Sequence, residues 1–289
     1  MVGFTPDTVQ LSSSEHAVAG AVSGGVSRAL FQPLDVLKIR FQLQVAPIRK
    51  HGPSMYTGII QATSRIVTEE GVTALWKGHI PAQILSVLYG LVQFTTFEIS
   101  TKLVWLSCPE EFTTTYRPLT HAMCGAAAGC VSTLAIQPVD VMRTRFISQK
   151  HIKVYQNLYT GVRAVLHQEG VRSLYRGLLP AVSITCLSES VVCGFSAGVV
   201  SKTIIYPLDV IKKRLQVQGF KEEARAEFGV VRTYTGLRHC FTSIVKEEGI
   251  LGLYKGLSPS LLKSGIVAAS NFLIYDQVCE LLKLRHSRR

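Results

Sequence analysis

Three short cassettes carry the charges in this chain that could do chemistry. Pro33-Leu-Asp35-Val-Leu-Lys38-Ile-Arg40 returns as Pro138-Val-Asp140-Val-Met-Arg143-Thr-Arg145, and again as Pro207-Leu-Asp209-Val-Ile-Lys212-Lys-Arg214. A proline inside a helix removes a backbone donor and kinks the chain. Each kink is followed at once by an acid and, three residues later, by a base. In an apolar medium such charges are costly unless they are paired or face water. Three copies suggest a ring of three ion pairs on a pseudo-threefold axis, a latch rather than a catalytic centre. The alternative is three independent helix ends whose charges reach for an aqueous interface. The close match of the triple spacing argues against it.

Other elements repeat in step. Glu70-Gly71 is followed by Trp76-Lys77-Gly78, Glu169-Gly170 by Tyr175-Arg176-Gly177, and Glu248-Gly249 by Tyr254-Lys255-Gly256, with four residues between the glycine and the aromatic each time. Between cassette and Glu-Gly lie Tyr56-Thr57-Gly58, Tyr159-Thr160-Gly161 and Tyr234-Thr235-Gly236. Upstream stand the pairs Gly20/Gly24, Gly125/Gly129 and Gly194/Gly198, whose small residues would let helices approach closely. Five residues before each proline are Arg28, Thr133 and Lys202. Two cations and a hydroxyl at one level of a wet cavity would suit an anion, and a diphosphate in particular; the alternative is service to nearby helix ends. Gln83, Tyr89 and Gln93 are polar in an apolar stretch. They are candidates for the cationic or aromatic half of a ligand, or for bonding to their own helix backbone.

Composition sets the frame. The 289 residues are 47% hydrophobic and 17% charged, below the roughly 25% charged usual for soluble domains, and the mean hydropathy is +0.25. This excludes a disordered chain and favours a membrane protein. A net charge of +12 fits anionic substrates, acidic lipid or nucleic acid, but no basic stripe or RNA-binding signature supports the last. The seven cysteines form no C-x-x-C pair, so neither a zinc site nor a disulfide framework is indicated. No P-loop, H-E-x-x-H or G-x-S-x-G motif occurs, so no enzyme is indicated. Glu69-Glu70 and Glu247-Glu248 look like helix-end features, not an acid/base pair. The N-terminus shows no leader, so targeting is expected to be internal.

The pattern P-x-D-x-x-[KR]-x-R followed by E-G-x-x-x-x-[WY]-[KR]-G, three times over nearly the whole chain, resembles the mitochondrial carrier family. Within it the resemblance is to the branch that carries thiamine pyrophosphate. The stretches carrying this are Trp76 to Ser86, Ser201-Lys-Thr203 before Tyr206, Lys213 to Phe220, Ala224-Arg-Ala226, Phe228, Tyr234 and Lys255 to Lys263. The resemblance implies an all-α membrane protein, a three-repeat pseudo-threefold transmembrane barrel with short matrix helices. It pairs Asp35 with Arg143, Asp140 with Lys212 and Asp209 with Lys38 as a matrix gate that breaks when substrate binds. It places cardiolipin at the helix starts marked by Gly58, Gly78, Gly161, Gly177, Gly236 and Gly256, where free N–H groups favour a phosphate; interfacial anchoring by the aromatics is the alternative. The expected outer-gate elements are incomplete. Phe97-Glu98 has Thr101 where a base is expected, and Tyr275-Asp276 has Cys279.

Spacing shows one anomaly. Gly78 to Pro138 is 60 residues, but Gly177 to Pro207 is only 30. Two crossings need about 20 helical residues each. The fourth span is therefore expected to be deleted or truncated, as alternative splicing or a mis-assembled coding sequence would produce. The expected repeats are 13–109, 117–189 and 190–284, with spans near 15–44, 79–106, 117–148, 190–218 and 257–283 and a stub at 178–188. Short helices are expected at 59–70, 160–169 and 236–248. The basic Lys212-Lys213-Arg214 run should resist translocation, which favours a stub that re-enters. The function expected is exchange of thiamine pyrophosphate against nucleotides across the inner mitochondrial membrane by a monomer, without metal, nucleic acid or cofactor. The alternatives are a nucleotide or coenzyme A carrier, and a non-transporting form.

Overall fold

The structure, a computed structural model, describes residues 13–45, 56–107, 109, 116–150, 154–193, 198–220, 228 and 232–287. Each repeat contributes a kinked helix, a short helix and a return helix. The kinked helices are α1 (Ser13–Leu43), α4 (Arg117–Ser148) and α7 (Gly198–Val217). The short ones are α2 (Ile59–Glu70), α5 (Leu158–Gln168) and α8 (Leu237–Glu248), and the return helices are α3 (His79–Ser107), α6 (Leu178–Cys193) and α9 (Leu257–Ser287). Among the described residues there is no strand. The long helices form a closed ring in the order α1, α3, α4, α6, α7, α9 and back to α1. By length and composition, α4 and the helical stretch ending at Ser107 suffice to cross a membrane. Large apolar residues such as Phe94, Ile204 and Leu273 stand exposed on the ring's helices, as lipid-facing residues would.

The short helices are amphipathic. Each buries residues one turn apart, Ala62 and Ile66, Gly161 and Val165, Cys240 and Ile244, so one stripe faces the ring. A single 3-10 turn follows each, at Val72–Trp76, Val171–Tyr175 and Ile250–Tyr254. Glycine punctuates these turns for steric reasons. Gly256 has φ +81°, and a Cβ there would lie 2.8 Å from the Lys38 carbonyl oxygen; Gly177 has φ +76°, and a Cβ would lie 2.9 Å from that of Lys212. Left-handed backbone and close approach to the neighbouring repeat both demand glycine. The upstream glycines differ. Around Gly20 and Gly24 a Cβ would meet nothing within 4 Å, so these two glycines face no helix contact; α1 meets α9 there through buried Ser23, which donates to Asn271 O at 2.8 Å. Gly129 is buried, and Gly194 lies outside the described residues.

The anomaly in spacing takes a definite form. α6 has 16 residues where α3 has 29 and α9 has 31, about 24 Å against a hydrocarbon core of about 30 Å. α7 begins nine residues before Pro207, where α1 begins 20 before Pro33 and α4 begins 21 before Pro138. The stub runs to Cys193, not to 188, and the fifth helix begins at Gly198, not at 190. Both arms are thus short on the same side, and α6 and α7 pack together as a hairpin whose connecting residues 194–197 lie outside the described residues. The ring keeps six helices, and the third repeat keeps the orientation of the other two.

Buried ion clusters fasten the opposite end. Arg40 holds Glu70 through two hydrogen bonds, one of 2.8 Å, and Lys77 joins at 2.5 Å. Arg145, Glu169 and Arg176 repeat the arrangement, as do Arg214, Glu248 and Lys255. These glutamates stand at the ends of the short helices, as expected, but they are shielded: Glu70 and Glu248 side chains are 3% and 2% exposed. The arginines also satisfy backbone carbonyls that a helix C-terminus leaves open. Arg40 reaches Gln149 O, Arg145 reaches Gln216 O, and Arg214 reaches Gln42 O and Gln44 O. Each repeat therefore caps the kinked helix of the next, in a closed cycle. Pro33 frees the carbonyl of Ala29, and the Trp76 indole N–H donates to it at 2.8 Å.

Burial pushes the Glu70 carboxyl up, but the Arg40 hydrogen bonds and charge, with Lys77, outweigh it and hold the group below its ordinary value of 4.5. A depressed carboxylate contributes stability above its unfolded value and loses it as pH falls through the folded one. The thermal midpoint of the purified protein should therefore fall as pH drops below about 4.5. Glu70→Gln should flatten that decline and lower the midpoint at neutral pH, by about 3–5 kcal/mol of stability if the buried arginine is stranded.

Candidate functional site

The three cassette acids meet bases of the neighbouring repeats at the centre of the ring. Arg143 lies 2.7 Å from Asp35, Lys212 lies 2.8 Å from Asp140 and Lys38 lies 2.6 Å from Asp209. The kinks are what aim them: each acid sits two residues past its proline, so its side chain leaves the bent inner face. All six side chains are at most 21% exposed. At that depth a pair gains more Coulomb energy than at a surface, and a lone charge is penalised.

The corners are unequal. Asp35 has a second cation, Lys263 of α9, at 2.6 Å. Asp140 has Lys213 at 3.0 Å and the Gln216 amide at 2.7 Å. Lys213 also donates to the Thr144 hydroxyl at 3.1 Å. Among the described residues Asp209 has a single cation within ion-pair distance, supported by the Gln42 amide at 3.2 Å. Gln42 also donates to the Tyr206 hydroxyl, over whose ring the Lys38 ammonium lies at 5.7 Å. Sequence reasoning missed Lys213, Lys263, Gln42 and Gln216. The available signals were the doubled Lys212-Lys213 and a lysine inside the apolar start of α9. The residue before each proline was missed as well. Gln32, Gln137 and Tyr206 donate to the carbonyls of Lys77, Arg176 and Lys255 at 3.2, 2.9 and 3.1 Å. These bonds tie each kinked helix to the start of its return helix.

The candidate substrate contacts lie at one level and turn toward the return helix of their own repeat. Arg28 donates to Ala82 O at a long 3.4 Å. The Thr133 and Thr185 hydroxyls are 2.9 Å apart. Lys202 donates to Ser260 O at 3.1 Å and to the Ser264 hydroxyl. Gln83 bonds to Gly25 O of α1 at 3.4 Å, so it spends its amide on a neighbouring helix. Tyr89 and Gln93 are half-buried on α3. At the other end Glu98 pairs with Lys102 of its own helix at 2.8 Å, both side chains exposed. Its base is thus at i+4 rather than across a helix interface. Asp276 sits on α9.

Two clefts of about 400 Å³ lie between repeats. One is lined by Lys77, Gly78, Gln149 and Tyr155, the other by Arg176, Gly177, Tyr234 and Gly236. Of the six glycines singled out from sequence, three therefore line a cleft. Gly161 instead packs against Met142 and Tyr155, while Gly58 and Gly236 have open space where a Cβ would lie. Below the ring, the Lys150 ammonium sits over the rings of Phe228 and Tyr56 at 4.3 and 5.4 Å, and Val45 N–H donates to Phe228 O at 3.1 Å.

The inequality of the corners is testable. Asp140→Asn would strand Lys212 and Lys213, whereas Asp209→Asn strands only Lys38. The first should cost about 3–5 kcal/mol in unfolding free energy, and the second distinctly less, measured as unfolding midpoints of the purified variants.

The family model described as mitochondrial carrier protein matches residues 9–107, 114–190 and 186–286. The chain is 44% identical to the mitochondrial thiamine pyrophosphate carrier of Homo sapiens, over 97% of each chain. It is 43% identical to that of Bos taurus, over 100% of this chain and 99% of the relative. It is 35% identical to mitochondrial thiamine diphosphate carrier 1 of Zea mays, over 91% and 93%. The threefold ring of helices, the interlocked cassettes and these matches agree: the chain belongs to the mitochondrial carrier family.

Proposed function

We propose that this chain binds thiamine pyrophosphate in the ring above the three ion pairs and belongs to the machinery that exchanges it across the inner mitochondrial membrane. The observation that carries the reading is the surplus of cations around three acids. Lys38, Arg143, Lys212, Lys213 and Lys263 face Asp35, Asp140 and Asp209, with Arg28 on α1 and Lys202 on α7 about two turns before Asp35 and Asp209. A diphosphate entering from the open end meets net positive charge. It competes with the carboxylates for the same cations, which weakens the pairs that close the matrix side. Arg28 and Lys202 are the arms that hold the phosphates, Thr133 a hydroxyl contact, and Gln83, Tyr89 and Gln93 the wall for the thiamine moiety. The names of the human, bovine and maize relatives support this substrate. The two inter-repeat clefts, each beside a helix N-terminus and a lysine or arginine, suit the phosphates of cardiolipin.

A second reading concerns completeness. The alignment with the human relative runs over 316 positions and the chain has 289 residues, so at least 27 of those positions have no residue here. The matched shortening of α6 and α7 supports an internal deletion at their hairpin. Loss of both outer arms removes one wall of the outer gate, where Glu98 pairs with Lys102 of its own helix and not with a base across a helix interface. Alternating access requires that this end close when the matrix end opens. The 289-residue chain is therefore a binding-competent form that exchanges poorly.

The test is labelled thiamine pyrophosphate exchange in cardiolipin-containing vesicles, with this chain beside a version whose α6 and α7 arms are completed by a graft between Cys193 and Gly198. The expected result is a rise in thermal midpoint on adding thiamine pyrophosphate to either form, with exchange by the graft alone. No thermal response in either form would refute the substrate; full exchange by the 289-residue chain would refute the impairment.

A further inference from the structure

The kinked helix α4 and the short return helix α6 bring two thiols together. Cys130 Sγ and Cys186 Sγ are 3.3 Å apart, from positions 56 residues apart in sequence. The approach is held in register by a second contact close by, the 2.9 Å pair of Thr133 and Thr185 hydroxyls. Thr185 is itself anchored to Ala181 O at 3.1 Å. Both cysteines are half-buried, whereas Cys124 and Cys240 are buried. A small oxidant can thus reach this pair while the helices hold it face to face. A disulfide bond is about 2.05 Å long, so the sulfurs need to close by little more than 1 Å, about the reach of a side-chain torsion.

We propose that Cys130 and Cys186 form a modification site, a dithiol that a hydroperoxide oxidises to a disulfide stapling α6 to α4. The thiolate of one cysteine attacks a peroxide oxygen; the O–O bond breaks and, with a proton, water or an alcohol leaves. The resulting sulfenic acid is attacked at sulfur by the second thiolate, the S–O bond breaks, and hydroxide leaves as water after taking a proton. Two thiols give up two protons and two electrons, and the hydroperoxide accepts both. The staple acts on the shortest helix of the ring, with 16 residues. It fixes a wall that the proposed exchange cycle would have to move.

The test does not depend on transport. The purified chain in lipid vesicles is treated with hydrogen peroxide, its remaining thiols are alkylated, and the linked peptides are identified by mass. The expected product is a Cys130–Cys186 link at least about tenfold above any other cysteine pair, reversed by dithiothreitol and absent in Cys186→Ala. Phenylarsine oxide, which bridges two close thiols, should protect these two from alkylation in the unaltered chain, so the result does not rest on the variant folding. Recovery of Cys130 and Cys186 as separately alkylated or over-oxidised residues, or equal alkylation with and without the arsenical, would overturn the proposal.

Discussion

Three carboxylates sit inside a helical ring, and none of them can stay charged there without a cation from another repeat. That requirement organises the rest of the structure. Asp35, Asp140 and Asp209 each turn inward at a proline kink, and each takes its partner from a neighbouring helix. The three pairs thus close a cycle in which no repeat is satisfied alone. A repeat removed from its neighbours would expose an unpaired buried acid and an unpaired buried base, each penalised by desolvation.

The second ring of charges does a different task. Arg40, Arg145 and Arg214 bind the glutamates that end the short helices, and at the same time they satisfy carbonyls at the end of the next kinked helix. The three arginines are almost wholly shielded from solvent, while the central pairs keep some exposure. The contrast suits a frame that holds and a latch that opens: shielded, multiply bonded charges are costly to separate, and partly wet ones can exchange partners with an anionic ligand. Gly177 and Gly256 lie between the two rings, where only a residue without Cβ lets the return helix start against the carbonyl of a latch lysine.

Much of this was legible in the sequence, because a threefold repeat states its own symmetry. The cassettes, the short helices and the level of Arg28, Thr133 and Lys202 follow from spacing, and the partner assignments followed from family resemblance. What was not legible lies off the repeat. Lys213 and Lys263 have no counterparts in the other two repeats, so symmetry could not point to them. The glutamates of the Glu-Gly elements read only as helix-end features because their arginine partners are the last residues of the cassettes, 24 to 34 positions away. The spacing deficit was visible and was assigned to a deleted or truncated fourth span, but the share of it that falls on the fifth helix was not. A matched loss from two helices keeps both of them in the ring, and periodicity within either one does not reveal it. Gly20 and Gly24 pointed to a close helix approach that α1 makes through Ser23 between them instead.

The central claim is that a carboxylate and a base on different repeats hold the ring shut as a coupled pair. A double-mutant cycle at Asp209 and Lys38, the corner with one cation, tests it most directly. Unfolding midpoints would be measured for Asp209→Asn, Lys38→Met and the double variant. Coupling predicts that the double variant loses less stability than the two single losses combined, by at least about 1 kcal/mol. Additive losses would contradict it.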